Sequence, residues 1–310
     1  MKKMLAAALI LLCLLLAFPA LCVEGAKSGL LLWFNTIIPT LFPFILVTNI
    51  IRDLNGIPLF ERIFSPILSR IFKTTRGGSY PVIIGFLCGY PMGAKAVTDS
   101  YSCGRISKEE ANYLLCFTNN PSPIYMLSYV ALYTLDDQSL RLPVVIIALL
   151  TAWLVSCVYR LLHYFTRQHS PALQWTPVYR KAEAGQGLFD SSIMSACELL
   201  VKVGGYMILF SILSRCLMAL PFMPPMATCV ISGLLEQTTG LGLLKTQTFL
   251  PTIKTVLAMV FICFGGLSIT AQTYSVIHTQ GLSIKNYIIS KILSGVIALG
   301  LTAAYIQWIA

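Results

Sequence analysis

Charge is what this chain has least of. Only 11% of its residues are Asp, Glu, Lys or Arg, against about 25% in soluble domains. It therefore lacks the polar surface that a water-soluble fold of this length would need. Acidic residues are the scarcer sign, 12 against 22 Lys and Arg, and histidine occurs three times. His163, His169 and His278 have no ligand-like spacing, and the ten cysteines include no CxxC pair. Most of those cysteines fall in apolar runs, where a thiol behaves as a small hydrophobe, so neither a structural metal nor a cofactor is expected. Also missing are HExxH, GxSxG, a P-loop GKS/T and a Ser-His-Asp set. These absences argue against an enzyme and against an ATP-driven pump.

What is abundant is hydrocarbon: 56% of residues are hydrophobic and the mean hydropathy is +0.77. Apolar runs at 4–22, 29–51, 110–135, 141–163, 190–219, 253–277 and 285–309 approach the roughly 20 residues that cross a bilayer as helix. The expected fold is all-α and polytopic, with about seven spans. The net charge of +10 is scattered in short clusters between those runs, the distribution of cytoplasmic loops rather than of a nucleic-acid surface. Residues 1–22 open with Lys2 and Lys3 ahead of a long apolar run. No small-x-small cleavage site precedes a soluble domain, so they read as a retained first helix rather than a secretory signal.

Two further apolar pieces differ from the spans. In 79–99 the middle is crowded by Gly85, Gly89, Pro91 and Gly93, and in 226–245 Gly233, Gly240 and Gly242 surround Glu236-Gln237. Such residues break a helix into short arms, as in a re-entrant hairpin. Arg52, Arg62, Arg70, Lys73 and Arg76 precede the first piece and Lys95, Arg105 and Lys108 follow. With both flanks basic, the segment should enter and leave by the cytoplasmic face. The acidic loop Asp136-Asp137-Gln138-Ser139 then falls outside, the amino terminus inside and the carboxyl terminus outside, in a multi-pass protein of the cell membrane. Segment 57–72 has apolar residues at helical spacing among Arg residues and reads as a helix lying on the cytoplasmic interface.

The polar stretch 164–188 divides the chain into an amino-terminal helix (1–28), a first membrane unit (29–163), a cytoplasmic linker and a second membrane unit (189–310). The two units run in the same order: span, hairpin, broken span, span. Gly85-Phe86-Leu87 faces Gly233-Leu234-Leu235, and Asn120-Pro121-Ser122-Pro123 faces Gly266-Leu267-Ser268-Ile269. Three crossings per unit turn the second upside down, the inverted repeat common in secondary transporters.

Polar groups at these interruptions are the candidate site. Pro121 and Pro123 each remove a backbone donor and free carbonyls at membrane depth. Asn119, Asn120 and Ser122 beside them could coordinate a solute, or merely cap the half-helices. Gly265 and Gly266 open the matching break, where Ser268 and Gln272 share a helix face, although glycines also serve close helix packing. Glu236, with Gln237, is the one acidic residue of the second hairpin; it could bind a cation, relay a proton, or sit at the outer interface. Gly89, Pro91, Gly93, Pro121, Pro123, Gly265 and Gly266 are the candidate hinges. Lys95 reads as a side chain snorkelling to the interface.

The run Gly85-Phe86-Leu87-Cys88-Gly89-Tyr90-Pro91-Met92-Gly93-Ala94-Lys95 resembles the signature of the sporulation integral membrane protein YlbJ family. Ile106-Ser107-Lys108-Glu109-Glu110-Ala111, Phe117-Thr118-Asn119-Asn120-Pro121-Ser122-Pro123 and Gly265-Gly266-Leu267-Ser268 fit the same pattern. The likeness runs from about residue 29 to the carboxyl terminus. That family is similar to the nucleoside-recognition, or gate, domains of concentrative nucleoside transporters and ferrous-iron transport proteins. The resemblance implies a membrane role in spore-forming bacteria and a transport-like fold, and names no substrate.

The function expected is a transporter-like protein that moves or gates a small polar solute or ion. The rival is a non-transporting membrane scaffold for the spore cortex or coat, acting through loops 52–78 and 164–188. Expected partners are the lipid bilayer and that solute, with no nucleic acid; self-association into a homo-oligomer stays open. The topology carries a direct prediction. Once other accessible cysteines are removed, Cys103 reacts with a membrane-impermeant thiol reagent from the cytoplasmic side only, and labelling from outside would overturn the first hairpin.

Overall fold

A computed structural model describes residues 2–164, 187–219 and 222–309, and among them it holds helices and no strand. The expected linker at 164–188 lies, but for its ends, outside the described residues. Five helical stretches are long and apolar enough to cross a bilayer: Pro19–Asp53, Gln138–Leu162, Leu188–Met218, Pro251–Gln280 and Ile284–Ile309. Their exposed faces carry side chains such as Leu142, Val201 and Val296, which suit lipid and not water.

The amino-terminal boundaries differ from expectation. The first helix stops at Ala17 and a second starts at Pro19, with Phe18 between them in a non-helical conformation. Proline is suited to the first helical position because its missing N–H has no partner there anyway. From Pro19 the chain stays helical to Asp53, so the expected boundary at residue 28 falls within one stretch. A π-helical turn at Trp33–Ile37 interrupts it, just ahead of Pro39 and Pro43, whose missing N–H groups disturb the regular ladder. Helix Leu188–Met218 packs along Pro19–Leu32 with almost no gap. A Cβ on Gly25 would lie 2.8 Å from the Ile212 Cα, and one on Gly29 would lie 2.9 Å from the Ile208 Cα. Without a hydrophobic driving force between helices in lipid, such close approach of small residues is what holds them.

The segment expected as an interfacial helix is helical over the limits read from sequence, Ile57–Phe72. Leu59, Ile63 and Ile67 form an exposed apolar row, while Glu61 on the other face is buried against Arg105 at 2.8 Å and Arg76 at 3.9 Å. That ion cluster fixes the first hairpin, whose arms are Arg76–Cys88 and Met92–Ser102. A Cβ on Gly77 would stand 2.4 Å from the Arg105 carbonyl oxygen, so the two feet of the hairpin touch and the chain leaves by the end it entered. Lys95 is half-buried and pairs with Asp99 at 3.1 Å; Asp99 also meets Arg52 at 3.4 Å. The second hairpin has arms Pro225–Leu235 and Gln237–Thr246, pressed together where a Gly240 Cβ would lie 2.2 Å from the Gly233 Cα. Both expected breaks are present, one between Lys108–Thr118 and Pro123–Tyr125 with π-helical Met126–Thr134 beyond it, the other between Pro251–Phe264 and Gly266–Ile277.

The glycine contacts generate a prediction for stability. Gly25→Val and Gly29→Val should each lower the melting temperature of the purified protein, since overpacking costs about 1–3 kcal/mol. Gly205→Ala, on the facing helix Leu188–Met218 with nothing within 4 Å of the added carbon, should leave it unchanged or raise it slightly.

Candidate functional site

Each hairpin tip rests on the break of its own unit. Gly89 turns the first tip at φ 82°, a conformation open to glycine; a Cβ there would meet the Ser122 nitrogen at 2.7 Å and the Asn120 carbonyl oxygen at 3.2 Å. The Tyr90–Pro91 bond beside it is cis. In the second unit Gly265 and Gly266 have φ of 87° and 78°. A Cβ on Gly266 would sit 3.3 Å from the Gln237 nitrogen and from the Leu235 carbonyl oxygen, against the second tip. Two tips and two breaks thus meet around one cavity. Gly89, Tyr90, Pro121, Ser122, Glu236, Gln237 and Gln272 border it, with Ile37, Thr40 and Leu41 from one flanking helix and Val203 and Met207 from another. Its free space is ≈ 20 Å³, room for about one water.

Backbone accounting shows what the polar groups do first. In a regular helix the Phe117 and Asn119 carbonyls would accept from residues 121 and 123, and both are proline. The Asn120 side-chain amide donates to the Phe117 carbonyl instead, and the Lys291 ammonium donates to the Asn119 carbonyl. Ser122 caps the half-helix that follows, accepting from the Tyr125 N–H at 3.3 Å. At the second tip Glu236 is the cap. Its carboxylate accepts from the N–H of Thr238 at 3.1 Å and of Thr239 at 2.6 Å, and from the Thr239 hydroxyl at 2.8 Å. A carboxylate at a helix amino terminus is stabilised by those free donors and by the dipole.

The predicted site residues separate accordingly. Ser122, Glu236, Gln237 and Gln272 come to the cavity. Asn119 is fully buried, and its amide is spent on bracing. It accepts from the Ala94 N–H at 3.3 Å and donates to the Thr273 and Tyr287 hydroxyls, both at 2.9 Å. Asn120 faces Lys291, accepting from its ammonium at 3.3 Å, and Ser268 accepts from the Gln272 amide at 3.2 Å; neither borders the cavity. The hinge candidate Gly93, and Gly85 on the other arm, pack on the Thr118 carbonyl oxygen, which an added Cβ would approach to 2.4 and 2.0 Å.

Three cavity-lining atoms remain without a formed hydrogen bond: the Tyr90 hydroxyl, the Gln237 Oε1 and the Gln272 Oε1. Tyr90 faces Gln237, but not in hydrogen-bonding geometry. Unsatisfied buried polar atoms are costly, at about 1–3 kcal/mol each. From the cavity a ladder of stacked rings, Tyr125, Tyr129 and Tyr133, runs along the π-helical stretch at centroid spacings of 5.2 and 5.0 Å and ends under the Lys245 ammonium.

Sequence reading passes over three contributors. Tyr90 lies inside the Gly85–Lys95 motif and Tyr125 two residues beyond Pro123, and they read there only as parts of a turn and a span. Lys291 was counted within an apolar run, although it is a charge in the middle of a membrane helix, and such a charge costs on the order of 3 kcal/mol on insertion scales. That cost was the available signal.

No family model matches the chain, and no solved structure matches it. Among curated proteins it is similar to the sporulation integral membrane protein YlbJ of Bacillus subtilis (strain 168), at 23% identity over 315 aligned residues, covering 91% of this chain and 77% of that protein. A likeness of that breadth takes in far more than one shared span. Together with the glycine-rich signature that forms the first hairpin tip, it supports the resemblance of this multi-pass membrane protein to the YlbJ family.

Proposed function

We propose that the protein is a carrier for a small polar solute or ion, working in the membrane of a spore-forming bacterium. One observation carries this reading: unsatisfied polar atoms of residues from both hairpin tips and from the helix after the second break gather around one small cavity. Fold stability alone gives no reason to collect three unpaired groups there. A solute that donates to the two glutamine oxygens and exchanges a hydrogen bond with the Tyr90 hydroxyl would repay their desolvation. In the conformation described, the cavity excludes anything much larger than water, so loading requires it to widen.

The carrier reading includes seven spans, two re-entrant hairpins and an inverted repeat. The feet of the first hairpin join the ion cluster of Glu61, Arg76 and Arg105. The far arm of the second hairpin ends at Lys245, over the Tyr133 ring at 3.5 Å. Lys108 and Tyr133 begin and end the same broken span, so the hairpins enter from opposite ends. The contacts of Gly85 with Thr118 and of Gly233 with the Phe261 ring support the same pairing of units. With Arg105 and Lys108 cytoplasmic, the amino terminus is inside and the carboxyl terminus outside. A gate-domain relationship to nucleoside carriers is consistent with this arrangement, and the sporulation name of the relative gives the setting in which uptake should be sought.

Substitutions separate the fold from the site. Asn119→Ala, which removes three buried hydrogen bonds, should lower the melting temperature clearly. Gln272→Leu relieves one unpaired oxygen and should leave stability unchanged or higher, yet cut uptake in reconstituted vesicles by tenfold or more, about the effect of one lost buried hydrogen bond. Glu236→Gln keeps an acceptor for the helix cap and should abolish uptake while the protein still folds. Unchanged uptake in both Gln272→Leu and Glu236→Gln, measured across a broad solute panel, would reject the carrier and favour the scaffold. Comparing the solutes accumulated with and without the protein would name the cargo.

A further inference from the structure

Lys291 is fully buried in helix Ile284–Ile309, and among the described residues no carboxylate lies within 4 Å of its ammonium. Its partners are neutral oxygens. The Asn119 carbonyl and the Asn120 Oδ1, at 3.3 Å, both belong to the first break, and the Tyr287 ring centre lies 5.8 Å away. Carbonyl and amide oxygens at an unwound helix are the donor set that holds an unhydrated alkali cation in membrane proteins, and an aromatic face adds attraction for any cation. A neutral donor would have sufficed to satisfy one orphan carbonyl. The position instead holds a full positive charge at membrane depth, where charge is expensive.

We infer that Lys291 is a resident cation: its tethered ammonium takes the seat at the first helix break that a sodium, potassium or small ammonium ion would otherwise take. The carbonyl that Pro123 leaves without a partner is thereby held by the protein itself, independent of the salt around it. In its consequence for transport the inference rests on the carrier reading, because it removes this break as the place where a metal ion could couple to solute movement. The seat itself is read from stability alone.

The test is the melting temperature of the purified full chain in detergent, at constant ionic strength in choline, sodium, potassium or ethylammonium chloride. Wild type should melt at the same temperature in all four, and a saturable rise with sodium or potassium would overturn the inference. K291A should melt about 5 °C lower in choline and recover in a saturable way with ethylammonium or sodium, which fit the space that choline cannot enter. Absence of any recovery would overturn it. K291M keeps the bulk of the side chain and covers the case in which alanine does not fold. It should stay below wild type in every salt, and a K291M protein as stable as wild type would show the charge to be dispensable. None of these readouts uses uptake, so failure of the seat and failure of the carrier are told apart.

Discussion

The rest of the structure depends on one constraint: a helix broken inside a bilayer has no water to satisfy the backbone groups it frees. The first break and the second hairpin tip are each answered by named side chains. Asn120 and Lys291 take the two carbonyls orphaned by Pro121 and Pro123, and Glu236 takes the first amides of the second hairpin's far arm. Asn119 ties the first break to the adjacent hairpin arm and to the last two helical segments. The polar residues of the membrane interior therefore serve the fold before they serve any solute. What marks the site is the hydrogen-bonding capacity left over once those duties are subtracted, and at the cavity it resides in Tyr90, Gln237 and Gln272.

That order of accounting explains what could be read from the chain and what could not. The interruptions were legible because Gly and Pro act locally: the bends lie at Gly89–Pro91 and Glu236, and the breaks at 119–122 and Gly265. The helix Ile57–Phe72 was legible because its apolar row and its arginines alternate within sixteen residues. Duties were not legible, because they pair residues far apart in sequence. Asn119 and Asn120 look alike as neighbouring amides, yet one is spent on Ala94, Thr273 and Tyr287, and the other on Phe117 and Lys291. Nothing near position 291 says that a carbonyl at 119 awaits it. The first span boundary also resisted reading, since Pro19 can end one helix or begin the next with equal local ease.

Charge is distributed by the same economy. Outside the apolar body, ions pair with ions: Glu61 with two arginines, Asp99 with Arg52 and Lys95, and Glu24 with Arg215. Two others that are buried, Lys291 and Glu236, are kept apart and each is held by backbone, Lys291 by a carbonyl and Glu236 by amides. A salt bridge between them would have been self-contained and indifferent to its surroundings. Held separately, each charge makes the shape of one break a condition for its own stability, which couples the two hairpin regions to the electrostatics of the interior.

The walls of the cavity then differ in how firmly they are set. On the side of the hairpins and breaks, glycine contacts leave no slack and hydrogen bonds cross between elements, so displacing one tip exposes several backbone groups at once. On the other side, Val203 and Met207 offer only apolar surface, as do Ile37 and Leu41; the Thr40 hydroxyl is spent on carbonyls of its own helix. These residues come from helices that contribute no break to the cavity. The helix that carries Ile37, Thr40 and Leu41 holds a π-helical turn together with Pro39 and Pro43, so its backbone ladder is already incomplete. Apolar side chains sliding against lipid or against one another lose little, whereas a tip leaving its break loses hydrogen bonds that nothing in the bilayer replaces. On the proposed carrier reading, widening of the cavity to admit a solute is therefore cheapest where the flanking helices close it, with the breaks staying in place as the fixed floor of the site.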